Sequence, residues 1–159
     1  MPIYYGGKKL QSLYYGGKKI ASAWYGGKKV YSALTFLSSP VQLWQWKTSS
    51  YVNSVAVDNK FNVYVGDNST NVTKLDSTGK QVWWWESPNA VNSVAVDSDG
   101  NVYAGDGSSY LTKLDSTGKK LWQWKASGSA SSVAVDNRLN VYVGDVNYNV
   151  TKLDNTGKQ

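Results

Sequence analysis

The chain has 159 residues, of which 41% are hydrophobic and 14% aromatic, and it carries a net charge of +6. It contains no cysteine and no histidine, which excludes disulfides, Cys or His metal sites and catalysis by histidine. No apolar run is long enough to span a bilayer, and the N-terminus lacks the apolar core of a signal peptide, so we expect neither feature.

The positive charge lies in the first 42 residues. These hold six lysines and no acidic residue, whereas residues 43–159 hold eleven basic and eleven acidic residues. The two parts therefore differ in their electrostatics. We predict a basic short-repeat β segment at 1–37, a linker at 38–42 around Ser38-Ser39-Pro40, and a repeat domain at 43–159.

The N-terminal segment repeats a short motif three times, at 4–10, 14–20 and 24–30. Each copy reads as an aromatic pair, Gly-Gly, Lys-Lys and one apolar residue. Aromatic residues favour strands and Gly-Gly favours a tight turn, so the motif predicts three small hairpins. Ribbons of this size are marginal alone in water, so we expect the segment to pack on another surface.

The lysines of this segment have two interpretations. Interleaved with aromatic residues, they are candidates to contact a polyanion such as nucleic acid or a bacterial wall polymer. The favoured alternative is that they line the solvent face and edges of a small β assembly, where they discourage edge pairing. The lysines are Lys8, Lys9, Lys18, Lys19, Lys28 and Lys29.

From Leu43 onward the chain is one 39-residue unit repeated three times, at 43–81, 82–120 and 121–159. A period near 40 made of short apolar runs is typical of a β-propeller. Each unit contains four strand-like runs, which match one propeller blade. The predicted fold is therefore all-β, with four-stranded blades that follow a small hairpin segment. In the first unit the runs are Leu43–Lys47, Val52–Val57, Asn62–Gly66 and Asn71–Leu75.

The number of repeats raises the question of how the ring closes. Propellers typically have four to eight blades, so three should not close alone. The array starts with a Trp-bearing run and stops just before the next such run, a phasing that lets a first strand complete a last blade. We expect two chains to exchange this strand and form a six-bladed homodimer. A segment of a longer array would show the same phasing.

The segment from Lys113 to Trp122, KLDSTGKKLW, resembles the tryptophan-docking motif of PQQ-like β-propeller repeats. In that motif an Asp, a Thr-Gly turn and a Trp four residues after the Gly lock neighbouring blades. Many such repeats bind no quinone, so we expect no cofactor. The resemblance implies a blade-docking role for Trp44, Trp83, Trp122, Asp76, Gly79, Asp115 and Gly118.

The Tyr-Gly-Gly-Lys-Lys repeats resemble short repeats near the N-terminus of some phage tail or baseplate proteins of Gram-positive hosts. This resemblance implies a component of a virion or another extracellular-facing particle. Its expected partners are other virion proteins or a host-surface glycan.

Aromatic residues that differ between the copies are candidate ligand contacts. Trp84 stands where the other copies have Gln45 and Gln123, and exposed aromatic side chains on loops can stack on sugars. The further candidates are Tyr51, Tyr110 and Tyr148. The repeated Trp pairs, by contrast, are expected to pack between blades.

One turn, Asp97-Ser98-Asp99-Gly100-Asn101, resembles the start of a calcium loop. The other copies place Lys60 and Arg138 at the second carboxylate, so a hairpin turn is the favoured interpretation and no metal site is expected.

The expected function is that of a non-enzymatic structural or adhesion module, which presents a propeller to a glycan or a protein. Three alternatives stay open: a fragment of a PQQ-like propeller enzyme, a basic nucleic-acid-binding module, and a designed or recently duplicated repeat protein.

Overall fold

The computed structural model describes residues 42–159 and, before them, the backbone of six short strands. The chain divides between Leu43 and Trp44 into two compact units. This division lies one residue from the predicted start of the repeat domain at Leu43. Most of the predicted linker, residues 38–41, lies outside the described residues.

The first unit contains three antiparallel strand pairs, β1-β2, β3-β4 and β5-β6, which confirm the predicted hairpins. Their bounds are β1 (Tyr4–Tyr5), β2 (Lys8–Lys9), β3 (Tyr14–Tyr15), β4 (Lys18–Lys19), β5 (Ser22–Tyr25) and β6 (Lys28–Ser32). The register places aromatic residues opposite lysines, as Tyr4 is opposite Lys9. The side chains of the six lysines lie outside the described residues, so their predicted polyanion contact stays a prediction.

The second unit is built from eleven strands. They are β7 (Val52–Val57), β8 (Val63–Asp67), β9 (Asn71–Leu75), β10 (Gln81–Glu86), β11 (Val91–Val96), β12 (Val102–Asp106), β13 (Tyr110–Leu114), β14 (Lys120–Lys125), β15 (Ala130–Val135), β16 (Val141–Asp145) and β17 (Val150–Leu153). They form sheet 1 (β7 to β10), sheet 2 (β11 to β14) and sheet 3 (β15 to β17), each an antiparallel meander. The predicted all-β fold with four-stranded sheets is confirmed for sheets 1 and 2, whereas sheet 3 has three strands.

Each complete sheet takes three strands from one 39-residue unit and its outer, Trp-bearing strand from the next unit. The first Trp-bearing run, Leu43–Lys47, was predicted to be a strand, and this prediction is wrong, because residues 42–48 form no strand. The physical reason is that β10 and β14 pair with the strands that precede them, β9 and β13. Within residues 42–159 no strand precedes the run at 43–47, so this pairing partner is missing.

The core lies between successive sheets. Between sheets 1 and 2, Tyr64, Val72, Val91 and Val94 pack in one buried cluster. An equivalent cluster, which includes Leu111 and Val133, lies between sheets 2 and 3. Burial of each such side chain stabilises the fold by about 1.5–3 kcal/mol. Among the described residues, no helix has the length and hydropathy needed to cross a membrane.

Two glycines allow this close approach of the sheets. A Cβ atom on Gly66 would lie 2.6 Å from Val91 Cγ1, and one on Gly105 would lie 2.9 Å from Val133 Cγ2. Any larger residue would therefore push the neighbouring sheet away. The stacking of the sheets is built into the repeat sequence at these positions.

Candidate functional site

The repeated tryptophans lie over glycines of the following docking turn. A Cβ on Gly118 would lie 2.9 Å from Trp83 Cδ2, which leaves no room for a side chain. Gly118 also has a φ of +88°, a conformation that glycine adopts freely, so both observations favour glycine at this position. The Trp83 indole Nε1 donates to the Ser116 carbonyl at 3.0 Å. Trp122 repeats the arrangement on Gly157, and Trp44 lies over Gly79. These side chains therefore pack on the docking turns, as the resemblance to the docking motif implied.

The docking turns are held by aspartates. Asp115 Oδ1 accepts hydrogen bonds from the Thr117 hydroxyl at 2.6 Å and from the Thr117 and Lys119 backbone N–H groups. The Thr117 hydroxyl is the main cause that holds the pKa of Asp115 below its ordinary value. Asp76 makes the same bonds to its own turn. These carboxylates shape the turn that receives the indole.

The turn with the calcium-loop pattern is a hairpin turn stabilised by its own aspartate. Asp97 Oδ1 accepts from the backbone N–H groups of Asp99 and Asn101, and its Oδ2 accepts from the Asn101 amide and the Tyr103 hydroxyl. Burial raises the pKa of Tyr103, and the charge of Asp97 raises it further. All these acceptor positions serve the turn, in agreement with the favoured interpretation.

The equivalent turn of sheet 3 has the same bonds around Asp136. The Asn140 side chain donates to the carboxylate at 2.8 Å and is the main cause that lowers the Asp136 pKa to about 2. Further donors are the backbone N–H groups of Asn140 and Arg138 and the Tyr142 hydroxyl. The repeated aspartates are therefore used structurally.

One cleft differs from this repeated scaffold, and we name it the Trp84 cleft. It has a volume of about 350 Å³ and lies between the run at 46–49 and the outer part of sheet 1. Trp84 lies on β10 opposite Thr73, and its side chain is 58% exposed. Its lining residues are Trp46, Lys47, Thr48, Ser49, Asp67, Asn71, Thr73, Gln81 and Trp84.

Some polar groups of the cleft have hydrogen-bond partners within residues 42–159, and others have none there. Asp67 accepts from Ser69 and Asn71 backbone N–H groups and from the Thr48 hydroxyl, which fixes the cleft floor. The side-chain amides of Asn71 and Gln81 have no hydrogen-bond partner among residues 42–159. The cleft therefore combines two indoles with free amide donors and acceptors.

The corresponding positions in the other repeats have different chemistry. In sheet 2, Gln123 takes the place of Trp84, and its amide donates to the Thr112 hydroxyl at 3.1 Å. At sheet 3 a larger groove of about 710 Å³ includes Trp124 and Asn149 but has no fourth strand. The groove at sheet 3 therefore has one indole in its lining, where the Trp84 cleft has two.

The structure does not bring the other aromatic candidates together with Trp84. Tyr51 is exposed ahead of β7, and Tyr148 is exposed with a φ of 66° and lines the groove of sheet 3. Tyr110 lies on β13, with the Lys125 ammonium 5.8 Å from its ring centre. Trp84 could be identified from the sequence because it differs from its counterparts. Trp46 was not predicted to line a site, because it is repeated and repetition indicates a structural role.

Comparisons with known proteins agree with this architecture. The family profile described as outer membrane protein assembly factor BamB matches residues 38–159. The crystal structure of BamB from Moraxella catarrhalis is similar, with a TM-score of 0.64 and 23% identity over 73% of this chain. The chain spans 38% of the length of that protein's chain. No curated protein matches the sequence.

The profile match covers more than half of the chain, and the docking turns show the corresponding Trp-on-Gly packing. The chain therefore belongs to the PQQ-like β-propeller repeat family that this profile describes.

Proposed function

We propose that this chain is a non-enzymatic structural and adhesion module whose Trp84 cleft binds a host-surface glycan. The observation that carries the proposal is that Trp46 and Trp84 line one cleft together with the side-chain amides of Asn71 and Gln81. Sugar rings offer flat C–H faces that stack on indoles, and hydroxyls that exchange hydrogen bonds with amides. A concave site with aromatic walls and a few polar groups is a general form of ligand site.

The placement of the remaining polar residues supports a binding role over an enzymatic one. The aspartates of the turns accept hydrogen bonds from their own backbone and neighbouring side chains, as Asp115 and Asp136 do. These interactions hold the side chains of both carboxylates in place and lower the pKa of each, which suits a scaffold. In this proposal the N-terminal hairpins attach the module to a phage tail or another virion, as their motif suggests.

The test is sedimentation of the purified chain with protein-free cell walls of a Gram-positive bacterium. Trp84→Gln installs the residue that the other two repeats carry, so the sheet should be unaffected. We expect it to weaken binding by about tenfold or more, since loss of a central aromatic contact is worth at least about 1.4 kcal/mol.

The matched control is Leu121→Gln, because Leu121 is a similarly exposed apolar residue on the outer strand of sheet 2. It should bind as the wild type does. Equal binding by Trp84→Gln and the wild type, or no binding by either, would contradict the proposal.

A further inference from the structure

The contacts between successive sheets follow one pattern, which occurs twice in the chain. The Ser54 hydroxyl of sheet 1 accepts a hydrogen bond from the Val94 N–H of sheet 2 at 3.0 Å. The Ser93 hydroxyl of sheet 2 accepts one from the Val133 N–H of sheet 3 at the same distance. Each sheet therefore has a forward face, which carries the serine and contacts the next sheet in the chain. It also has a backward face, which carries the valine and contacts the preceding sheet.

Lysines and glycines complete the forward face. Lys74 Nζ donates to the Ser116 carbonyl of the next repeat, and Lys113 Nζ donates to the Asn155 carbonyl, both at 3.3 Å. Gly66 and Gly105 admit the valines of the next sheet, as described above. The forward face is thus shaped for one particular backward face.

Sheet 3 has the same forward face, but no further sheet packs against it among the described residues. Gly144 corresponds to Gly66 and Gly105, yet a Cβ there would meet only Ser132 Cβ, at 3.7 Å. Val150 is 81% exposed, whereas its counterparts Val72 and Leu111 are fully buried. We name Ser132, Gly144, Val150 and Lys152 the open forward face.

Sheet 1 carries the complementary backward face, which is also uncovered. Val55 is 61% exposed, whereas its counterparts Val94 and Val133 are 5% and 8% exposed. Val52 and Val57 on the same strand are exposed as well. We name these three residues the open backward face.

The free edge of β17 matches the run ahead of sheet 1. In sheets 1 and 2 the third strand pairs with a Trp-bearing strand, with Thr73 opposite Trp84 and Thr112 opposite Gln123. The same register places Thr151 opposite Gln45. The run 43–47 forms no strand, and Leu43 within it is largely exposed.

We propose that the open forward face and the β17 edge of one chain bind the open backward face and residues 43–47 of a second copy. The complementarity is already demonstrated twice inside the chain, because the same residue types meet between sheets 1 and 2 and between sheets 2 and 3. Two chains joined head to tail at two such junctions make a closed ring of six sheets, within the usual range for propellers. The exposed valines and the unpaired edge are the surfaces that this contact buries.

This arrangement also completes the groove at sheet 3. The exchanged strand supplies the missing wall beside Trp124 and Thr151, and it places Gln45 where Trp84 stands in sheet 1. The Gln45 amide then lies opposite the Thr151 hydroxyl, as Gln123 lies opposite Thr112. The run 43–47 shares Trp46 and Lys47 with the Trp84 cleft, whereas the two open faces lie outside the cleft lining. The inference is tested by substitutions on the open faces, so it can fail while the glycan proposal stands.

The test is the solution mass of the full chain by size exclusion with light scattering. We expect the wild type to have twice the 17.5 kDa mass of one chain. Val55→Asp and Val150→Lys place charges on the two open faces, at residues that are exposed in a single chain. Both should therefore fold, as judged by circular dichroism, and both should shift the mass to 17.5 kDa.

The control is Leu121→Lys, since Leu121 stays 51% exposed in sheet 2, which has neighbours on both faces. It should keep the doubled mass. A wild-type mass of a single chain would overturn the proposal. An assembly of any size that survives both Val55→Asp and Val150→Lys would overturn it too, because other surfaces would then hold it together.

Discussion

Sheet 2 and sheet 3 are made from nearly the same sequence, yet they differ in completeness. Sheet 2 has a neighbour on each face and an outer Trp-bearing strand, so Leu111 is fully buried. Among residues 42–159, sheet 3 has no neighbouring sheet on its forward face and no outer Trp-bearing strand, and the equivalent Val150 is exposed. Burial in this array is thus a property of the stack and not of the individual repeat, as expected for solenoid-like chains. We therefore expect substitutions at equivalent positions of sheets 2 and 3 to have different effects.

The largest expected effect is at the docking tryptophans. Trp122→Ala removes an indole that packs on Gly157 and donates to the Asn155 carbonyl between sheets 2 and 3. We expect the free energy of unfolding to fall by about 3 kcal/mol. Trp44→Ala should lower the free energy of unfolding of a single chain by less, because the Trp44 indole makes no hydrogen bond among the described residues. Urea titration of both variants in the Val55→Asp background, which we expect to be a single chain, measures these losses, and equal losses would contradict the contrast.

The second effect concerns equivalent glycines. Gly105→Val places a side chain against Val133 and Ala130 of sheet 3, with no room for it. We expect a loss of about 1–3 kcal/mol from overpacking. Gly144→Val points to the open forward face, so it should leave single-chain stability nearly unchanged and act on the solution mass. In the Val55→Asp background, which we expect to be a single chain, a stability loss of the same size at Gly144 would show that this face is not open.

A smaller gain is expected at a strained turn. Thr70 is β-branched and has a φ of 74°, a conformation that glycine adopts freely. Thr70→Gly should raise the free energy of unfolding by about 1 kcal/mol. Ser77→Gly, at an exposed turn position without a positive φ, is the control and should be neutral or slightly destabilising. A destabilised Thr70→Gly variant would refute the strain argument.

The smallest effect is the pH dependence of sheet 3. The folded-state pKa of Asp136 is about 2, below its ordinary value, mainly because of the Asn140 amide. Ionised Asp136 therefore stabilises the fold above about pH 4, and this contribution is lost as the pH falls toward 2. Asp136→Asn and Asn140→Ala should each flatten the fall in thermal midpoint between these pH values. An unchanged slope in both variants would exclude this role.

Much of the fold could be predicted from the sequence, because the repeat and the strand pattern are local signals. The bounds of β7 and β9 agree with the predicted runs Val52–Val57 and Asn71–Leu75. The run Leu43–Lys47 was assigned wrongly because its strand state depends on a pairing partner that the run itself does not specify. Local pattern cannot decide a non-local pairing.

The candidate cleft was predictable only in part. Trp84 was found because it departs from the repeat, but the remaining lining residues come from three separate stretches of chain. Their convergence is a result of folding. Trp46 was expected to be structural because it recurs in every repeat, and only the structure shows that it lines a cleft, as its counterpart Trp124 lines the groove at sheet 3.

The most direct test of the central claim, that the two open ends of one chain fit a second copy, is a site-specific cross-link. The chain has no cysteine, so Gln45→Cys with Thr151→Cys introduces one thiol on each proposed partner strand. Residues directly opposite in an antiparallel pair have Cβ atoms about 4.5–5.5 Å apart, within reach of a short thiol-bridging reagent. Gln45→Cys with Lys152→Cys is the control, since residue 152 faces the other side of the strand. We expect a covalent dimer of twice the 17.5 kDa mass for the first pair and none for the second. A first pair that stays at the mass of one chain would contradict it.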